Sequence, residues 1–181
     1  MNRRKKKVRK NHGSFIAEAP FALWALFFLF TFPFLDMATV LLRYTFFVSA
    51  TRDGVHAASH AKTFVNGGTA AYPAATTAAT TAVNTTASAF REITISNVRT
   101  RILRTNIATQ TLTVYGYNQA LTTAADDSAY LYEVETTVTG LINPLINMNI
   151  GIFGNIPGVT SGVPVSVSAR EYCEYPQGLN M

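Results

Sequence analysis

Two histidines four residues apart, His56 and His60, are the first pair in this chain whose types and spacing could do chemistry. On a helix that spacing puts both imidazoles on one face, a common way to grip a divalent cation. Nothing near them in the sequence supplies a third and fourth ligand at a recognisable interval, so the expectation is that no metal is bound. Asp126-Asp127 could touch calcium, but no loop of alternating oxygen donors surrounds them, and the pair reads as a polar hairpin turn. Cys173 is the single cysteine. It excludes an intrachain disulfide and a cysteine-based zinc site; it reads as a single tolerated or semi-buried thiol, with pairing to another chain in an oxidising compartment as the alternative. There is no glycine-rich phosphate loop after a strand and no nucleophile elbow. No local signature joins the many serines and threonines to a histidine and an acid. The chain reads as not an enzyme, with no cofactor.

A different kind of chemistry is suggested by Glu18. It lies five residues after Gly13, where a basic block ends and a long apolar run begins. A carboxylate at the edge of hydrocarbon is costly and asks for a cationic partner. The alternative is a glutamate at headgroup depth that stays wet.

The elements that would position these groups follow from charge and hydropathy. The chain has 181 residues and a formal charge of +5, but seven of its fifteen basic residues lie between Arg3 and Lys10. From Ser14 onward eight basic residues face ten acidic ones, a net of −2. The basic pI therefore belongs to the leader, which reads as a cytoplasmic topology signal beside anionic lipid. Nucleic-acid binding would need basic residues spread over a folded face. The later cluster, Arg91, Arg99, Arg101 and Arg104, reads instead as the solvated edge of an alternating strand.

Ala19–Leu35 is seventeen residues without a charge, and apolar character extends from Phe15 to Leu42. A helix crosses a bilayer core in ~20 residues, so the run is long enough. No small-residue cleavage site follows Leu35, so the run reads as a lasting anchor and not a removable secretory signal. The lysines and arginines of the leader keep the N-terminus in the cytoplasm and place everything after Leu42 outside. Pro20 falls in the first turns, and Pro33 should kink the helix.

Beyond the anchor, Tyr44, Phe47, Val48, Thr51, Val55 and Ala58 share one helical face, opposite Ser49, Asp53, His56 and His60. Ala50, Gly54 and Ala58 are small residues four apart, allowing close packing of another helix or a sheet. Asn66-Gly67-Gly68 is a stop signal, which gives a helical spine over 43–68. The Ala/Thr-rich stretch 69–90 reads as a helix over about 74–90 or as a flexible linker. From residue 91 to 181 the period changes to two. Alternation around Ile93–Ser96, Thr111–Tyr115, Tyr130–Val138 and Val163–Ala169 predicts about four strands in an antiparallel sheet. The expected fold is α+β: a long N-terminal helix, half transmembrane and half amphipathic, packed on a small sheet that it covers. Gly140–Gly162, apolar but broken by Pro144, Pro157 and five glycines, reads either as a loop closing an open core edge or as an apolar surface for a partner subunit.

The junction Gly13-Ser14-Phe15-Ile16-Ala17-Glu18 resembles the class III leader of type IV pilin-like proteins. There a basic leader ends in Gly and a Glu stands at the fifth mature position. The continuation is similar to the TadE family of tight-adherence pilus assembly proteins, with Asp36, Arg43, Tyr44 and the Ala-rich segment 57–61 at the family's places. The chain departs from the leader pattern at Ala19-Pro20, where the family has Phe or Tyr after its Glu. The resemblance implies cleavage between Gly13 and Ser14 by a prepilin peptidase, and pairing of Glu18 with the free Ser14 amine of a neighbouring subunit. It also implies a bacterial inner-membrane location with other pilus-assembly or pseudopilin subunits as partners. The competing expectation is an uncleaved, membrane-tethered external domain that binds an extracytoplasmic partner.

Overall fold

The computed structural model describes residues 12–146 and 154–181; most of the basic leader and the centre of the Gly140–Gly162 loop lie outside the described residues. The fold is α+β. Helix α1 runs unbroken from His12 to Ser59, through both Pro20 and Pro33. At 1.5 Å per residue that is a rod of about 70 Å. A second helix, α2 (Ala75–Ser88), lies against it. Strands β1 (Ile93–Asn106), β2 (Leu112–Val114), β3 (Tyr130–Ile142) and β4 (Val163–Tyr172) form one antiparallel sheet in the order β2-β1-β3-β4.

The two helices and one face of the sheet enclose the core. α2 buries Ala75, Ala79, Val83 and Ala87, a four-residue repeat that makes one apolar stripe. α1 contributes Phe47, Ala50, Val55 and Ala58, and the sheet contributes Ile102, Tyr132, Val134, Val138 and Ile142. The small residues on α1 decide how close the layers come. A Cβ built on Gly54 would lie 2.5 Å from Val83 Cγ2 and 3.7 Å from Thr136 Cγ2. Gly54 therefore admits both α2 and the sheet, and no larger residue fits without displacing one of them. Gly140 plays the matching part on β3, where a Cβ would meet the Phe47 ring at 2.8 Å and the Thr94 carbonyl.

Helix α1 stops at Ser59, short of the Asn66-Gly67-Gly68 signal. Side chains cap its end early. Ser59 Oγ donates to the His56 carbonyl (2.9 Å), and His60 Nδ1 reaches the same carbonyl at 2.9 Å. Such local side-chain bonds compete with the next helical turn. The Ser59 carbonyl is taken by Glu174 N–H at 3.0 Å. The freed chain then turns so that Phe64 enters the core, and the amides of Phe64 and Val65 bond the Met181 carbonyl. Burying one large aromatic and anchoring the C-terminus outweighs two more turns of a solvent-facing helix. The Ala/Thr stretch is helical from Ala75 to Ser88, and the stacked rings of Phe46 and Phe90 and a Thr86–Asp53 hydrogen bond tie it to α1.

The arginines of β1 are not a solvated edge. β1 lies inside the sheet, between β2 and β3. On the face away from the helices, Arg101, Glu135 and Arg170 stand in register across three strands. Glu135 is 2% exposed and accepts from Arg101 Nε and Arg170 Nε, both at 2.6 Å. Arg99 and Arg101 also lie over the Tyr117 ring, and Arg104 over Tyr130. Two cations around one carboxylate satisfy a charge that burial would otherwise make expensive.

Candidate functional site

Along α1 a single stripe, Asp36, Val40, Arg43, Phe47, Ala50, Gly54 and Ala58, follows the helical repeat. From Phe47 onward this stripe packs on the sheet domain. At Asp36–Arg43 it meets the segment between β3 and β4. Asp36 is fully buried, and its Oδ1 accepts the Ile146 amide at 2.9 Å. Arg43 Nη1 donates to the Asn143 carbonyl at 2.6 Å. The described part of the Gly140–Gly162 segment thus forms a collar on the helix. It connects β3 to β4, which are neighbours in the sheet. It extends their hairpin down the helix toward the apolar half. Between collar and helix is an apolar groove of about 620 Å³, lined by Phe34, Met37, Val40, Tyr44, Pro157 and Val165 among others.

Below the collar no described residue covers the helix. Phe21 is 79% exposed, Trp24 66% and Phe34 75%. Among the described residues, this is the one helix long and apolar enough to cross a membrane. Glu18 and Asp36 bracket its uncharged stretch, about 25 Å long at the helical rise. Glu18 is exposed on the helix surface, whereas Asp36 is buried under the collar. The backbone at Gly13 and Ser14 is helical; their side-chain surroundings, and the basic residues before them, lie outside the described residues. Of the residues singled out in the sequence, Ala50, Gly54 and Ala58 come together as the buried seam with α2 and the sheet. Gly13, Ser14 and Glu18 lie at the opposite end of the rod, close to one another along a single helix.

The last turn of α1 carries a second constellation. His56 Nδ1 lies 3.0 Å from Glu171 Oε1, and His60 Nε2 lies 3.0 Å from Glu174 Oε1. The two imidazole centroids are 4.3 Å apart. The hydrogen bond from Glu171, and then its charge, raise the His56 pKa above the ordinary histidine value. No spacing rule could have found this group. Its carboxylates come from the end of β4, more than a hundred residues after the histidines, and only the packing of β4 beside α1 brings them in.

Comparisons of the chain with protein-family models, with curated proteins and with solved structures found no match. The functional reading therefore rests on the residues and their arrangement. Two features stand out: a bare apolar half-helix flanked by two differently housed carboxylates, and a compact domain built on the other half of the same helix.

Proposed function

We propose that this chain is a single-pass membrane subunit of the pseudopilin kind, TadE-like, acting in assembly of a tight-adherence type pilus or a related secretion filament. The observation that supports it most is the division of α1. Its first half presents large apolar side chains that no described residue of the chain covers, which suits lipid or the apolar helices of neighbouring subunits. Its second half is the spine of an external domain. The basic leader places the N-terminus in the cytoplasm of a bacterial inner membrane, with the sheet domain outside.

In this reading a prepilin peptidase cuts between Gly13 and Ser14, and the new amine supplies a cation for Glu18. In a stack of subunits staggered along their helices, Glu18 of one faces the Ser14 amine of the next, and each neutralises the other in a medium where neither is tolerated alone. Asp36 is enclosed by the collar, where its Oδ1 accepts the Ile146 amide and its Oδ2 has no hydrogen-bond partner among the described residues.

Mass spectrometry of the membrane-extracted protein from its native host tests the processing step. The expected mass lacks residues 1–13, and Gly13→Val should restore the full length. A full-length native chain that is indifferent to Gly13→Val overturns it. Glu18→Val should leave insertion intact and abolish co-isolation with filament machinery; unchanged co-isolation removes the pairing. A full-length chain would favour the second reading, an uncleaved tether for an extracytoplasmic binding module, to which the apolar groove beneath the collar lends support.

A further inference from the structure

We propose that His56, His60, Glu171 and Glu174 form a zinc site that staples the end of α1 to the end of β4. The ligand atoms of His56, His60 and Glu171 all lie within 4.8 Å of one another. In a tetrahedral site with bonds of 2.0–2.1 Å, ligand atoms stand about 3.3 Å apart. His56 and His60 are exposed and Glu171 is half-buried, so all three have room to turn. Glu174 lies outside that 4.8 Å group but touches His60, from which it would swing in as the fourth ligand.

The protonation pattern of His60 gives the argument its force. Ser59 Oγ spends its proton on the His56 carbonyl. His60 Nδ1 sits 3.0 Å from that Ser59 oxygen and 2.9 Å from the His56 carbonyl. Both neighbours of Nδ1 are then acceptors, so Nδ1 must carry the hydrogen. This places the lone pair of a neutral imidazole on Nε2, aimed at the Glu174 carboxylate 3.0 Å away. A lone pair and a carboxylate at that distance repel unless a cation lies between them. A divalent metal ion between them would serve, and a metal-bound histidine that donates its other N–H to a backbone carbonyl is the usual second-layer arrangement.

The donor set selects the ion. Two neutral imidazoles and two carboxylates offer mixed nitrogen and oxygen donors and a charge of −2, which matches a divalent ion. Calcium and magnesium prefer all-oxygen sites of higher coordination, whereas zinc takes four such ligands tetrahedrally. Arg170, adjacent in sequence to Glu171, donates to Glu135, so its Nε is committed elsewhere. The site sits in the external domain, far along α1 from the leader, and is independent of whether the leader is cut.

The test is titration of the full-length, tag-free, detergent-solubilised protein, first stripped with chelator, with zinc chloride by calorimetry. The expected result is one zinc per chain at micromolar Kd or tighter, and a melting temperature raised by several degrees at saturating zinc. His60→Asn and Glu171→Gln should each weaken binding at least tenfold, with unchanged circular dichroism. Both side chains are at the surface, so these variants should fold. His12→Asn, the remaining histidine of the chain, should change nothing. X-ray absorption of the zinc form should show two imidazoles among four light ligands. No zinc uptake, uptake unaltered in a His56→Asn/His60→Asn double variant, or calcium binding as tight as zinc would each overturn the proposal.

Discussion

The two halves of α1 have opposite rules for what is hidden. In the outer half, Phe47 and Val55 aside, the buried residues are small: Ala50, Thr51, Gly54, Ala58 and Ser59. In the first half the residues are large, and Phe21, Trp24, Phe27, Phe30 and Phe34 are exposed. A protein solved by water alone would hide the large side chains and let the small ones show, since burial stabilises in proportion to apolar area. Here the ranking is reversed within one continuous helix. Size on the packed half is limited by how closely α2 and the sheet must approach. On the bare half no described element sets a limit. The difference fits a helix shaped for two surroundings, with the collar at Asp36–Arg43 at the change between them.

The comparison breaks most sharply by moving a charge into the bare half. Phe27→Lys should cost about 3 kcal/mol of membrane insertion. Carbonate extraction of membranes should then release the protein, while the near-ultraviolet circular dichroism of the external domain stays unchanged. Loss of the domain's fold would mean the halves are not independent. The complementary change is Gly54→Val on the packed half. It forces branched carbons into Val83 and should destabilise the domain by about 2 kcal/mol in denaturant titration, with membrane retention intact.

A third substitution sharpens the account of the seam. Thr136 and Thr100 are paired across β3 and β1, and both hydroxyls are buried without a hydrogen-bond partner. Thr136→Val keeps the shape, removes the orphaned hydroxyl, and should raise stability by about 1 kcal/mol. A loss would indicate a hydrogen bond at that position. The smallest effect belongs to the turn farthest in character from either half of the helix. The Ser128 hydroxyl and amide bond Asp126 and hold its carboxyl below the usual range. Its folded pKa is depressed, so the stabilisation is present above the unfolded value and is lost as pH falls through the folded one. Ser128→Ala should move the Asp126 carboxyl titration, read by NMR, back toward the ordinary value.

Much of the fold was legible from periodicity. The change from a 3.6-residue to a two-residue repeat near residue 90 located the sheet, and its four strands lie where Ile93, Leu112, Tyr130 and Val163 begin to alternate. What periodicity misjudged were features whose cause is remote in sequence. The early end of α1 depends on Glu174 and Met181 bonding near it. Arg101 looked solvated because its partner, Glu135, is recognisable only once β1 and β3 are in register. The Gly140–Gly162 segment carried no local sign of its contacts with Asp36 and Arg43, which lie a hundred or more residues earlier in the chain.

By itself the sequence determined the polarity of the molecule, basic leader to apolar rod to alternating strands, because charge, hydropathy and period are local properties of the chain. It also determined that Ala50, Gly54 and Ala58 would line a close-packed seam, since a missing side chain is visible without its neighbours. Only the tertiary structure decided what happens to the carboxylates. Asp36 and Glu18 are both acids flanking one apolar run, yet one is enclosed by a loop more than a hundred residues away and the other stands open. His56 and His60 were an isolated pair until β4 delivered Glu171 and Glu174 beside them. The free energy of a charge is set by what surrounds it in space, and for these acids the chain's order carries no record of that.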